Sequence, residues 1–265
     1  MIGAAEVREH VFTRVRHRLV PRQLQVKRVL DLTPKMRRIT LSGADLDGFS
    51  SPSPDDHVKL FFPLPGEVRP RMPTFSGEPM SLPEGTLFSP ARDYTPRRFD
   101  AQAGELDIDF VLHGQGPAAS WAAQAQIGQW IGVGGPRGSS IPPNDFDSYL
   151  LAGDETALPS IARRIEALPR SAPVIVVAEV DNAAEQQALP LNTLVYWLHR
   201  NGAEPGSLLQ RKLREIELPG GDCYIWVATE SQRAMAIREH LVEQRGVNEH
   251  WIKAAGYWKQ DHHAG

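Results

Sequence analysis

Cysteine is nearly absent: Cys223 is the one thiol in 265 residues. That excludes disulfides within the chain and iron–sulfur clusters held by its own thiolates. Cys223 sits in the apolar run Cys-Tyr-Ile-Trp-Val-Ala, where a small buried hydrophobe is expected rather than a reactive group. An excess of one charge is lacking too. Lys and Arg number 29 against 32 Asp and Glu, a net charge of −3. The chain as a whole therefore has no electrostatic reason to bind nucleic acid or an anionic membrane, and any basic site is local. Nowhere do ~18 apolar residues run together, and the first nineteen residues carry His and Arg throughout without an apolar signal core. The expectations are no membrane insertion and a cytoplasmic location. His262 and His263 are read as part of a chain end rather than a chelating site.

What is present is an ordinary globular composition, 41% hydrophobic and 23% charged. A length of 265 residues implies two domains. From Gln23 to about Ile141 the grammar is that of short strands broken by Pro and Gly, clearest at Gln23–Leu30, Arg37–Leu41, His57–Phe62 and Glu105–His113. In the last of these Leu106, Ile108, Phe110 and Leu112 alternate with Asp107, Asp109, Val111 and His113, the period of two of a strand. Several such strands predict an antiparallel barrel. The Pro- and Gly-rich stretch Pro63–Pro90 predicts a long surface loop.

After Pro142-Pro143-Asn144-Asp145 the pattern changes. Strands at Tyr149–Ala152, Val174–Val180, Leu194–Leu198 and Cys223–Ala228 alternate with helices at Thr156–Leu168, Leu208–Ile216 and Ser231–Arg245. Alternation of this kind predicts a parallel sheet with crossover helices. The fold class is therefore a β-barrel domain over residues 1–145 followed by an α/β domain over 146–265.

Two segments carry chemistry. His113-Gly-Gln-Gly-Pro-Ala-Ala-Ser-Trp121 follows a strand and opens a helical stretch, Ala118–Gln126. Its glycines let a pyrophosphate approach the backbone, and a helix N-terminus offers unpaired N–H groups. No acidic residue follows at the distance a Rossmann unit requires, so a plain Gly-Pro turn stands as the other reading. Arg92-Asp-Tyr94-Thr95-Pro-Arg97 places an aromatic, a hydroxyl and two guanidinium groups within six residues, with Arg92 and Tyr94 on one face of an extended strand. Such a set can cover a flavin ring, hydrogen-bond its N5 or O4 and neutralise a phosphate. An edge strand with solvated charges has the same pattern.

Taken in order, His57-Val-Lys59-Leu-Phe-Phe-Pro, Arg92-Asp-Tyr-Thr-Pro-Arg97, Gly104 through Ala118, Gly135-Pro-Arg137-Gly, Leu151 through Pro159 and Gly256-Tyr-Trp258 resemble the siderophore-interacting proteins. These are ferric siderophore reductases of the ferredoxin–NADP reductase superfamily. The resemblance implies FAD held by Arg92, Tyr94 and Thr95, with Asp109 and Val111 on the strand beside it. It further implies a pyrophosphate framed by His113, Gly114, Pro117 and Ala118, and a nicotinamide site bordered by Gly153, Asp154, Glu155 and Thr156. Lys59, Arg137 and Lys253 are the implied contacts to an anionic iron chelate. Where similar proteins read Ala-Gly-Glu, this one has Ala228-Thr229-Glu230.

Fe(III) accepts one electron and NAD(P)H delivers a hydride, so the implied reaction needs a flavin between them. Glu179 points to a ribose hydroxyl and NADH, Arg200 to a 2′-phosphate and NADPH; the resemblance favours NADPH. A ferredoxin is a further possible donor. The rival readings are a flavin oxidoreductase of the same fold acting on another acceptor, and a siderophore carrier without flavin. A monomer is expected, because no apolar stripe demands a partner.

Overall fold

The computed structural model describes residues 9–73, 87–114, 116–189 and 193–260. The chain ends, with His262 and His263, and residues 74–86 of the Pro- and Gly-rich stretch lie outside the described residues.

The first half contains strands β1 (Thr13–Arg16), β2 (Pro21–Thr33), β3 (Met36–Ser42), β4 (Val58–Phe61), β5 (Ala91–Tyr94), β6 (Pro96–Asp100) and β7 (Glu105–Val111). Helix α1 (Pro117–Ala123), β8 (Trp130–Gly134) and β9 (Gly138–Ile141) complete it. Seven of these strands form one antiparallel sheet in the order β5-β4-β8-β2-β3-β7-β6, while β1 pairs with β9. Consecutive strands β5 and β6 lie on its two opposite edges, joined by Thr95 alone. A single connecting residue can link the two edges only if the sheet curls until they meet, so Thr95 marks the seam of the barrel. Pro96 is tolerated there because it is the first residue of an edge strand, where a missing N–H need cost no ladder bond. Leu24, Ile39, Leu60, Ile108, Phe110 and Val133 fill the interior, all fully buried.

The second half holds β10 (Ser148–Gly153), α2 (Leu158–Ala167), β11 (Val174–Val180), β12 (Thr193–His199), α3 (Ser207–Glu215), β13 (Cys223–Glu230), α4 (Ser231–Glu239) and β14 (Ile252–Trp258). Its five strands are all parallel in the order β12-β11-β10-β13-β14. The three central strands, β11, β10 and β13, are buried on both faces and read as the near-continuous apolar runs expected of a parallel sheet, while the edge strands β12 and β14 are partly exposed. Tyr149, Leu151, Val176 and Trp226 pack on α2 and reach the barrel residues Met36, Leu32 and Val111. Leu150, Val177, Ile225 and Val227 pack on α3 and α4 with Leu209, Leu213 and Ile237. The barrel thus sits against the α2 face of the parallel sheet.

Several boundaries differ from the sequence reading. The helix expected over Thr156–Leu168 begins as a 3-10 turn, Glu155–Ala157, because the Asp154 side chain caps Thr156 N–H at 2.9 Å. The helix expected over Ser231–Arg245 changes at His240–Gln244 into a π-type turn. The strand expected to reach His113 ends at Val111, and His113 stands in the turn before α1. Cys223 is buried, and burial pushes its thiol up, as an inert position requires. Among the described residues no helix is long and apolar enough to cross a membrane.

Candidate functional site

Between barrel and parallel sheet lies a cleft of about 550 Å³ with three walls. The seam of the barrel supplies Arg92, Tyr94 and Thr95; the turn into α1 supplies His113, Gly114, Pro117 and Ala118; the ends of the parallel strands supply Thr156 and Gly256 through Trp258.

Register explains the first wall. Arg92 pairs with Leu60 and Tyr94 with Val58, so alternation puts Arg92 and Tyr94 on one face of β5. The Tyr94 ring packs on Phe110 at 4.6 Å, and burial pushes its phenol far above the ordinary tyrosine value. Among the described residues the Arg92 guanidinium donates to the Ala91 carbonyl, at 2.8 Å, and it stays exposed. Asp109 and Val111 also line the cleft, with the Asp109 carboxylate accepting from Nε and Nη2 of Arg38 at 2.6 and 2.8 Å.

The second wall fits a pyrophosphate. Gly114 adopts φ +64°, a conformation that favours glycine, and a side chain at Gly114 or Gly116 would point into open space. Helix α1 starts with Pro117 and has no side-chain cap, which leaves its first backbone N–H groups facing the cleft. An aromatic face, a hydroxyl, free N–H groups and a guanidinium in one cleft are the donor set a flavin dinucleotide needs. FAD therefore fits here.

At the third wall only Thr156 of the four residues expected there lines the cleft. Asp154 is buried and accepts from Thr156 N and Oγ1, Thr229 Oγ1 and Trp258 Nε1, at 2.9, 2.5, 2.8 and 2.8 Å. Burial pushes its carboxyl up, against the pull of those donors. Glu155 pairs with Arg200 and accepts from Asp181 N–H at 2.8 Å. Gly153 has no room for a side chain: a Cβ there would stand 2.5 Å from the Ala228 carbonyl oxygen. These three residues shape the crevice between β10 and β13, where the strand order reverses, from behind it.

The two residues expected to choose the nucleotide are committed elsewhere. Glu179 is fully buried and accepts from Gly206 N–H at 2.6 Å and Leu209 N–H at 2.7 Å. It caps the start of α3 rather than holding a ribose. Arg200 is held by Glu155 and lies 3.5 Å from Glu179, so its charge is already spent. Both partners are distant in sequence, which is why strand-end position alone misled.

The cations fare differently from one another. Lys253 lines the cleft and pairs with Asp55, whose carboxyl burial would raise but which Lys253, Ser53 and Trp226 hold below the ordinary range. Lys59 does not line it, but its ammonium pairs at 2.7 Å with Asp93, which does. Arg137 is exposed in the turn between β8 and β9, also outside the lining. Asp55 and His57, which do line the cleft, had no sequence signal for that place, since the partner of Asp55 is Lys253.

A family model described as the siderophore-interacting FAD-binding domain matches residues 25–140, and one described as siderophore-interacting protein matches 146–261. The NADPH-dependent ferric-chelate reductase of Escherichia coli (strain K12) is 36% identical over 250 residues, 92% of this chain and 95% of that protein. The ferric vibriobactin reductase ViuB of Vibrio cholerae is 32% identical over 248 residues, 92% of this chain and 91% of that one. A crystal structure of a siderophore utilization protein from T. fusca superposes with a TM-score of 0.85 at 43% identity, covering 97% of this chain and 100% of that chain.

Proposed function

The chain belongs to the siderophore-interacting protein family, and from that premise we propose that it reduces ferric siderophores with electrons from NADPH, through FAD. The observation that carries this reading is the meeting of three walls in one cleft: barrel seam, glycine turn and parallel-strand ends. When bound, FAD supplies the conversion of a hydride into single electrons that neither NADPH nor Fe(III) makes alone.

The side chains bind, orient and exclude water. Arg92 and the uncapped N–H groups of α1 neutralise the phosphates, Tyr94 covers the ring and the Thr95 hydroxyl meets its polar edge. Thr156 and the Gly256–Trp258 segment border the nicotinamide, and Gly153, Asp154 and Glu155 hold that wall from behind. No acid, base or nucleophile is needed at the metal. A ferric siderophore, as substrate, binds Fe(III) through hard anionic oxygens, and Fe(II) is held far less tightly, so reduction frees the iron. Arg137 attracts an anionic chelate, while Lys253 and Lys59 offset the carboxylates of Asp55 and Asp93 that line the cleft.

Residues 1–145 form the FAD unit and 146–265 the nucleotide unit, a division supported by the interval between β9, ending at Ile141, and β10, beginning at Ser148. The protein acts as a monomer in the cytoplasm, where NADPH is supplied. Its exposed large apolar residues, such as Leu30, Val68, Ile127 and Met235, are scattered along the chain. The test is anaerobic steady-state turnover: NADPH oxidation that requires a ferric siderophore and yields Fe(II) to a chromogenic chelator supports the reading. NADPH oxidation that ferric chelates do not accelerate removes it.

A further inference from the structure

Three hydroxyls from distant segments meet at the wall of the cleft. Thr95 Oγ1 lies 3.1 Å from Ser160 Oγ, and Ser160 Oγ lies 2.9 Å from the Tyr257 phenol oxygen. Thr95 is the seam residue of the barrel, Ser160 stands in the first turn of α2, and Tyr257 is near the end of β14. Thr95 and Tyr257 line the cleft. Ser160 is 2% exposed and touches both from behind.

Ser160 is buried, and among the described residues its hydroxyl meets only Thr95 and Tyr257, so its one proton goes to one of them and the chain runs in one direction. The phenol is the strongest acid of the three and heads the chain. Burial pushes it well above the ordinary tyrosine value, so it remains a donor at any working pH. Tyr257 then donates to Ser160, and Ser160 donates to Thr95. With one lone pair of Thr95 occupied by that proton, its own proton is turned away from Ser160, and the open side is the cleft.

We propose that Ser160 is a positioning residue: with Tyr257 it sets the Thr95 hydroxyl as a donor into the cleft, so that the site favours oxidised over reduced FAD. The proposal rests on the reading that FAD occupies this cleft with its ring beside Tyr94 and Thr95. The oxidised ring presents only acceptors, N5 and O4, to a hydroxyl at that edge. The reduced ring carries a proton on N5, and Thr95 accepts from it as well without Ser160 as with it.

Without Ser160 the Thr95 hydroxyl keeps its proton but turns among about three staggered positions, which costs roughly threefold in affinity for oxidised FAD. Affinity for reduced FAD stays the same. The midpoint potential of the bound flavin therefore rises by about 15 mV, threefold converted at ~30 mV per decade for two electrons. Tyr257→Phe keeps the ring on the cleft wall but removes the head donor, and gives the same two shifts. Since both changes break one chain, the double variant is no worse than either single one.

The experiment titrates the apoprotein with oxidised FAD by flavin fluorescence and measures the midpoint potential by dye equilibration, for wild type, Ser160→Ala, Tyr257→Phe and the double variant. Matching shifts in both single variants that do not compound support the proposal. Wild-type binding with unaltered affinity and potential in Ser160→Ala and Tyr257→Phe overturns it, as do effects that multiply in the double variant. A wild-type protein that binds no FAD overturns the cofactor reading itself, and the proposal with it.

Discussion

Thr229→Ala removes a hydroxyl that donates to Asp154 at 2.8 Å, at a position where both residues are buried. Water cannot replace it, because Thr229 is 0% exposed. A hydrogen bond to a buried charged group is worth about 2 kcal/mol. Losing the methyl group as well costs about 0.8 kcal/mol more. Thr229→Ser loses only the methyl, so the two variants should differ by the hydroxyl alone, about 2 kcal/mol. With a urea dependence of about 3 kcal/mol per molar for a domain of this size, that is a midpoint difference of roughly 0.7 M. Urea unfolding followed by tryptophan fluorescence reads it, since Trp226 lies on the same strand and Trp258 donates to the same carboxylate. Freeing Trp258 from a weakened Asp154 should also raise KM for NADPH while FAD retention is unchanged. Equal midpoints for the Ser and Ala variants would refute the view that this hydroxyl holds Asp154 in place.

Gly153→Ala would put a Cβ 2.3 Å from the Ala157 Cβ and 2.5 Å from the Ala228 carbonyl oxygen, atoms with no rotamer to yield. Overpacking there should cost about 1–3 kcal/mol in urea unfolding. Glu105 is held down to about 2 by hydrogen bonds from Lys27 and Arg28, against an ordinary value of 4.5. Its folded value is depressed, so the stability it adds is full above pH 4.5 and is lost as pH falls toward 2. Melting curves of wild type should decline through that window more steeply than those of Glu105→Gln. Lys253→Gln should slow reduction of a trianionic ferric chelate by about threefold at low salt, and the gap should close above ~0.5 M salt. A neutral ferric hydroxamate should be reduced at the wild-type rate by the same variant.

The parallel sheet was legible because its signal is local. Val174–Val180 is a strand over the same residues in sequence and structure, and Leu158, Ile161 and Ile165 face one core from one helix. The barrel was read in outline, but β1, β6, β8 and β9 were not. Glycines break the pattern of Trp130–Gly134, and Thr13–Arg16 is too short and polar to alternate visibly. The first two walls of the cleft lie in contiguous motifs, and each residue named there lines it. The third wall does not announce itself, because long-range partners set its side chains. Asp154 is enclosed by Thr229 and Trp258, and Glu179 is drawn to the backbone of Gly206 and Leu209. Ser160 shows nothing in sequence, since its partners are 65 and 97 residues away.

The central claim is electron transfer to a ferric siderophore, and one anaerobic mixing experiment isolates it. Protein whose FAD has been reduced beforehand is mixed with a ferric siderophore, without nucleotide, while flavin absorbance and Fe(II) trapped by a chromogenic chelator are followed together. The account requires the yellow absorbance to return at a rate that rises with chelate concentration, with two Fe(II) formed per flavin. Flavin that stays bleached in the presence of every ferric chelate, yet recovers with another acceptor, would contradict it.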